Sequence, residues 1–154
     1  MAPLSFLAEN NISYFTIPVA LLAALWPRSQ SAFKEPGKKY FDAANPRTFA
    51  SRLEKSDLDK ETVSRILRAE AASANGMEGL PIFAAAVVAG NSAGLSTTAL
   101  NSLSIAYIVS RVVYNWVYIF LGGNRKLAGL RTPIWFVGIS SALALFVKAG
   151  LAKL

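Results

Sequence analysis

The sequence contains neither cysteine nor histidine. These two absences exclude disulfide bonds, metal sites built from Cys and His, thiol nucleophiles and histidine-based catalytic triads. We therefore expect no metal site. If the protein is an enzyme, its nucleophile or redox group must come from a substrate or a cofactor that it binds.

Charge is also scarce in this chain. Charged residues make up 16% of its 154 residues, hydrophobic residues make up 53%, and the mean hydropathy is +0.38. Soluble domains carry about a quarter charged residues, so the deficit indicates that lipid surrounds much of the surface. The net charge is +7, but the basic residues cluster in two short segments beside apolar runs and form no basic stripe. We expect these segments to face anionic membrane lipids, with no nucleic-acid partner.

Long apolar runs predict the architecture. Because each run, with its flanks, is long enough to span a bilayer, we predict an all-α fold: one integral membrane domain, residues 1–154, built as a four-helix bundle. The predicted helices cover about residues 11–27, 58–90, 97–121 and 132–151. Pro27 and Arg28 mark the end of the first apolar run, and Asp57 or Asp59 is positioned to cap the second helix.

The distribution of basic residues predicts the orientation. Residues 28–60 hold eight basic residues and the third predicted loop holds three, whereas the second loop holds none. Lys and Arg accumulate in the cytoplasmic loops of membrane proteins. We therefore place both basic loops in the cytoplasm and both termini outside or in a lumen. The membrane would be the endoplasmic reticulum in a eukaryote or the inner membrane in a bacterium.

Polar side chains recur at helical spacing on two of the predicted membrane helices. The second helix carries Arg68, Ala71, Asn75 and Glu78 on one stripe, and the third carries Arg111, Tyr114 and Tyr118. A charged residue at the bilayer centre costs about 2.5–3.5 kcal/mol, so it must face protein or water, and we expect the two stripes to face each other. A Glu78–Arg111 ion pair that fixes the packing is one interpretation. The additional amide and hydroxyl groups favour the other, a site for a polar ligand.

The other aromatic residues fit structural roles. Tyr40 and Tyr107 are expected at the membrane interface or in the core. Trp26, Trp116 and Trp135 are expected in an interfacial belt or in packing.

Four short motifs carry a family resemblance. On the second helix, Asn75, Glu78, Pro81 and Phe83 fit the pattern N-x-x-E-x-x-P-x-F, preceded by R-A-E-A-A at residues 68–72. The others are Asn45-Pro46-Arg47, Arg111-x-x-Tyr114-x-x-x-Tyr118 and Leu130-Arg131-x-Pro133. Together they resemble the MAPEG family, the membrane-associated proteins of eicosanoid and glutathione metabolism, and look most like its fungal and bacterial branch.

The resemblance implies a homotrimer of four-helix protomers that binds glutathione between neighbouring subunits, near the cytoplasmic face. The glutathione-binding residues that it implies by position are Arg68, Asn75, Glu78, Arg111, Tyr114, Tyr118 and Lys38 or Lys39. Arg131 is the implied partner of the sulfur, because Ala71 and Trp135 stand where some members carry arginine.

The resemblance and the lack of cysteine together imply a membrane-bound glutathione transferase, with peroxidase activity as a further option. Arg131 would stabilise the glutathione thiolate, Tyr114 or Tyr118 would donate a hydrogen bond, and a lipophilic substrate would arrive through the membrane lipids. Two alternatives stay open. They are a non-catalytic lipid-binding or adaptor homologue, and a biosynthetic isomerase or cyclase on the same scaffold.

Overall fold

The computed structural model describes residues 7–154, which form helices and connecting turns and contain no strand. Residues 1–6 of the predicted domain lie outside this described part. The main helices are α1 (Ser13–Ala32), α2 (Phe49–Glu54), α3 (Lys60–Ser92), α4 (Thr97–Trp116) and α5 (Arg131–Leu151). The last turn of α4 continues as a π-helical stretch, Val117–Leu121, which we call the π segment.

Membrane-spanning character belongs to three helical segments. The segments Lys60–Ser92, Thr97–Leu121 and Ala128–Leu151 are each long and apolar enough to cross a membrane. They match the second, third and fourth predicted membrane helices and support an all-helical membrane protein. α1 does not meet the same criterion, since its last turns carry polar residues such as Arg28 and Gln30. A fourth span therefore stays a prediction.

α1 extends beyond its predicted end at Pro27 and reaches Ala32. A proline has no N–H, so Pro27 cannot donate to the carbonyl of Ala23 one turn earlier. Asn115 on α4 donates its side-chain Nδ2 to that carbonyl instead, at 2.8 Å. Because the freed carbonyl has a partner, the helix continues through the proline.

Small residues let α1 lie close against α3. A Cβ added at Gly76 of α3 would lie 2.8 Å from the Cβ of Ala24 on α1. Ser73, one turn earlier, donates its hydroxyl to the Ala24 carbonyl at 2.7 Å. These contacts fix α3, which also packs against α4 and α5.

The segment between α1 and α3 holds more helix than the sequence predicts. It contains short 3-10 turns and the helix α2. Phe49 and Leu53 of α2 pack with Ala32 and Ile66 in a buried apolar cluster. Burial of these side chains attaches the segment to the adjacent ends of α1 and α3.

Asp59 caps the N-terminus of α3. Its carboxylate accepts the backbone N–H of Thr62 at 2.9 Å, as the N-cap role requires. Hydrogen bonds from the Thr62 side chain and backbone hold the pKa of Asp59 below its usual value. The other candidate cap, Asp57, instead contacts Lys39 and Tyr40 in the preceding segment.

The core of the spanning part lies where α3, α4 and α5 meet. Phe83 and Tyr107 stack with their ring centroids 3.8 Å apart, and Leu145 of α5 is buried in the same cluster. This packing turns one face of each helix inward. Polar residues on the same three helices converge beside this core.

Candidate functional site

A hydrogen bond joins the polar stripes of α3 and α4. Arg111 Nη2 donates to Asn75 Oδ1 at 2.7 Å. Asn75 is partly buried, and Arg111 is only 6% exposed. The stripes therefore meet at this pair, beside a cavity that Trp135 and Ile139 of α5 also line.

The positive charge of Arg111 has no carboxylate partner among the residues that the structure describes. Its Nε is buried without a hydrogen-bond partner. The guanidinium carbon lies 4.6 Å from the centre of the Tyr114 ring, a cation–π contact. A buried charge is costly unless it is paired, so Arg111 retains unused capacity to bind an anion.

Glu78 lines the same cavity as Arg111 without pairing with it. The cavity has a volume of about 150 Å³, and Asn75, Tyr107 and Trp135 contribute to its lining. Glu78 is exposed and forms no salt bridge within residues 7–154. The Glu78–Arg111 ion pair considered from the sequence is therefore not formed in this chain. A cation and a carboxylate line one cavity separately.

A second cavity, of about 160 Å³, adjoins the first and shares Asn75 and Trp135 with it. Its other lining residues are Tyr114, Arg131 and Thr132. Arg131 and Thr132 lie in the first turn of α5. We call the two adjoining cavities the polar pocket.

Arg131 and Tyr118 contact each other at the polar pocket. The guanidinium carbon of Arg131 lies 4.6 Å from the centre of the Tyr118 ring. The Tyr118 ring meets the Tyr114 ring edge-on, with 5.6 Å between the centroids. A continuous chain of contacts thus runs from Arg111 through both tyrosine rings to Arg131. Arg111, Tyr114 and Arg131 line the polar pocket, whereas Tyr118 contacts Arg131 but lines neither cavity.

Arg68 lies outside the polar pocket. Its Nε donates to the carbonyl of Ile119 at 3.2 Å, and its Nη2 donates to Glu61 at 2.8 Å. Gly122 permits this approach, because a Cβ there would lie 2.8 Å from Arg68 Cδ. Ile119 adjoins Tyr118 in the π segment, so Arg68 supports that segment. The structure does not bring Arg68 beside the other predicted site residues.

The predicted lysines also lie away from the polar pocket in this chain. Lys38 is exposed in the short helical turn Gly37–Tyr40. Lys39 forms a salt bridge with Asp57 at 3.4 Å. A hydrogen bond with Tyr40 and the charge of Asp57 raise the pKa of Lys39. Neither lysine lines either cavity of the pocket.

Two aromatic residues that the sequence assigns to structural roles line the polar pocket. Trp135 lines both cavities, and Tyr107 lines the one that holds Glu78. A signal for them existed, because Trp135 follows Arg131 by four residues and Tyr107 precedes Arg111 by four. Residues at that spacing share a helix face, so extending the α4 stripe by one turn would have included Tyr107, and applying the same spacing to Arg131 would have included Trp135.

A family model described as "MAPEG family" matches residues 12–151 of the 154-residue chain. Neither a curated protein nor a solved structure matches the chain. The matched range contains every residue that lines the polar pocket, from Asn75 on α3 to Ile139 on α5.

Proposed function

Because the chain belongs to the MAPEG family, which covers glutathione transferases, peroxidases and related enzymes, we propose that it is a membrane-bound glutathione transferase. Its second substrate would be a lipophilic electrophile that partitions into the bilayer. One observation carries the proposal: Arg111 and Glu78 line one cavity, and neither has a partner of opposite charge among the described residues.

The chemistry of glutathione complements these unmatched charges. Glutathione carries carboxylates as well as an ammonium group, so one ligand can pair with the Arg111 cation and with the Glu78 carboxylate. Arg111 would bind a carboxylate through charge-assisted hydrogen bonds, and Glu78 would bind the ammonium group. Asn75 would hold Arg111 in place through its 2.7 Å hydrogen bond. An uncharged lipid offers neither kind of partner.

In this proposal Arg131 stabilises the thiolate of glutathione. A thiol with a pKa of about 8.5 is only slightly ionised at pH 7, and a nearby cation lowers that pKa. The Arg131 guanidinium lines the pocket and rests on the Tyr118 ring. It would stabilise the thiolate after the thiol proton has left to water, while Tyr114 or Tyr118 donates a hydrogen bond. The sulfur then bonds to the electrophilic carbon as the leaving group departs.

We further propose a homotrimer in which α1 is the fourth membrane helix of each protomer. Polar groups exposed on the single chain support this assembly. Glu78 is exposed on α3, and the Arg28–Glu70 salt bridge of 3.4 Å is partly exposed beside Ala71. Such groups avoid lipid, so a neighbouring subunit or the ligand pocket would cover them. Both termini would lie on the lumenal or outer side, opposite the basic loops.

Conjugation of chlorodinitrobenzene by the purified protein in detergent tests the proposal. With millimolar glutathione, thioether absorbance should rise above the uncatalysed rate, and calorimetry should detect glutathione binding. Arg131→Ala should lower the excess rate at pH 7 by about tenfold, because less of the thiol is then ionised, whereas Arg47→Ala, which removes an exposed arginine, should leave it unchanged. Glutathione binding without turnover of this electrophile or of a lipid hydroperoxide would contradict a transferase or peroxidase. Absence of binding would favour a lipid-binding adaptor.

A further inference from the structure

A groove separate from the polar pocket runs between α1 and α4. It consists of two cavities of about 280 and 240 Å³ that share Trp26. The smaller cavity lies between α1 and α4, and Val112 and Trp116 contribute to its wall. The larger cavity lies between α1, α3 and the π segment, and Phe120 contributes to its wall. We call these two cavities the α1–α4 groove; none of its residues lines the polar pocket.

The inner part of the α1–α4 groove is apolar and open to the surroundings. Trp26, Val112, Trp116 and Phe120 are 45%, 53%, 54% and 51% exposed. The rings of Trp116 and Phe120 lie 6.4 Å apart between centroids. Since α4 and the π segment together are long and apolar enough to cross a membrane, this surface would face the bilayer.

The outer end of the same groove is charged. Lys34, Glu35 and Arg65 line it, and all three are exposed. Within the described residues none of them forms a salt bridge. The nearby carboxylate of Glu70 is already engaged, by the Ser31 hydroxyl at 2.6 Å and by an arginine of α1 at 3.4 Å. Two cations against one carboxylate leave the outer end positive.

We infer that the α1–α4 groove binds a membrane phospholipid with an anionic headgroup. One acyl chain lies along Trp26 and Trp116, and the headgroup phosphate binds Lys34 and Arg65. Basic residues at the membrane surface attract anionic lipid, and aromatic residues suit the boundary between acyl chains and headgroups. The groove joins an apolar part to a cationic end, as a phospholipid joins acyl chains to an anionic headgroup. A free phosphate would occupy only the cationic end, and a neutral acyl chain would occupy only the apolar part.

The groove and the polar pocket share the π segment as a common wall. Phe120 and Ile119 line the groove, while the neighbouring Tyr118 contacts Arg131 at the polar pocket. A lipid in the groove therefore braces the segment that presents Tyr118. Bound anionic lipid should accordingly raise the thermal stability of the purified protein.

Native mass spectrometry of the intact protein in detergent tests the inference, with phosphatidylglycerol and phosphatidylcholine of identical acyl chains as probes. Each chain should retain phosphatidylglycerol in preference to phosphatidylcholine. The double variant Lys34→Ala, Arg65→Ala should retain about tenfold less phosphatidylglycerol. The matched variant Lys55→Ala, Lys126→Ala removes two exposed cations elsewhere and should retain as much as the unmodified chain. Equal retention of both lipids, or equal losses in both double variants, would overturn the assignment.

A second copy of the chain is the other possible cover of the groove, and a cysteine scan separates it from lipid. Because the sequence has no cysteine, Val112→Cys introduces a single thiol at the groove, which can carry a photoactivatable benzophenone label. Photocross-linking to phospholipid and not to a second chain supports the lipid, and efficient cross-linking to a second chain would overturn it. Lipid retention is measured without glutathione, so these results stand whatever the outcome of the transferase assay.

Discussion

Arg111 and Asn75 link α4 to α3 through a 2.7 Å hydrogen bond, yet this bond leaves the arginine charge unmatched. An amide can orient a guanidinium but cannot neutralise it. The pair thus keeps a cation ready at the wall of a cavity. The hydrogen bond to Asn75 orients Arg111, and the charge of Arg111 is available to bind an anion.

Arg111→Gln should weaken glutathione binding. Glutamine keeps an N–H donor on this face of α4, but it carries no charge for a carboxylate. A hydrogen bond to a charged group contributes about 1.5–3 kcal/mol, so the dissociation constant should rise about tenfold to a hundredfold. Calorimetry measures it, with the exposed Arg47→Gln as a matched control. Unchanged affinity in Arg111→Gln would mean that the charge serves packing alone.

Arg131→Ala should shift the pH dependence of conjugation. A cation near a thiol lowers its pKa by about one to two units from about 8.5. Removing the guanidinium should return the midpoint of the rate profile toward 8.5, because the thiolate then forms only at higher pH. Rates measured between about pH 6 and pH 9 reveal the shift. Lys126→Ala, which removes an exposed cation from the preceding loop, should leave the midpoint in place.

Arg68→Ala distinguishes a supporting role from a binding role. Arg68 donates to the carbonyl of Ile119 beside Tyr118, so its loss should loosen the π segment. We expect a lower melting temperature and a lower kcat, with the glutathione dissociation constant changed less than twofold or so. A large loss of glutathione affinity with unchanged stability would instead indicate that Arg68 binds glutathione directly, as the family resemblance implies.

Helical periodicity in the sequence predicts several residues of the candidate site. The spacing predicts that Asn75 and Arg111 belong to facing stripes, and the structure brings them into contact. Periodicity fixes which face a side chain occupies, because residues three or four apart lie together on a helix. It does not fix which partner a side chain selects. Arg111 bonds to Asn75 and not to Glu78, and this choice depends on local geometry that spacing leaves open.

The end of α1 could not be predicted from local sequence. Pro27 is a reasonable stop signal, because it removes a helical hydrogen bond. The compensating donor is Asn115 on α4, and only the tertiary fold brings it to the Ala23 carbonyl. The position of Arg68 at the π segment could not be predicted either. It depends on how the end of α4 packs against α3, and the spacing of residues along a single helix carries no information on that packing.

Gly76→Ala should destabilise the protein although alanine is the better helix former. Its new Cβ would lie 2.8 Å from the Cβ and 2.9 Å from the Cα of Ala24, so α1 and α3 would have to separate. Overpacking of this kind costs about 1–3 kcal/mol. Gly150→Ala is the matched control, because a Cβ there meets nothing within 4 Å. Thermal unfolding in detergent should show a lower melting temperature for the first variant and an equal or slightly higher one for the second.

Asn115→Ala should destabilise α1 through the carbonyl that Pro27 leaves free. The variant removes the partly buried 2.8 Å hydrogen bond to Ala23, and loss of such a bond costs about 1 kcal/mol. Pro27→Ala supplies a backbone N–H to the same carbonyl, so Asn115 should matter less in that background. The double variant should therefore be more stable than the sum of the single changes predicts, by about 0.5 kcal/mol or more. Melting curves for the four proteins of the cycle measure this coupling, and strict additivity would show that Asn115 does not compensate for the proline.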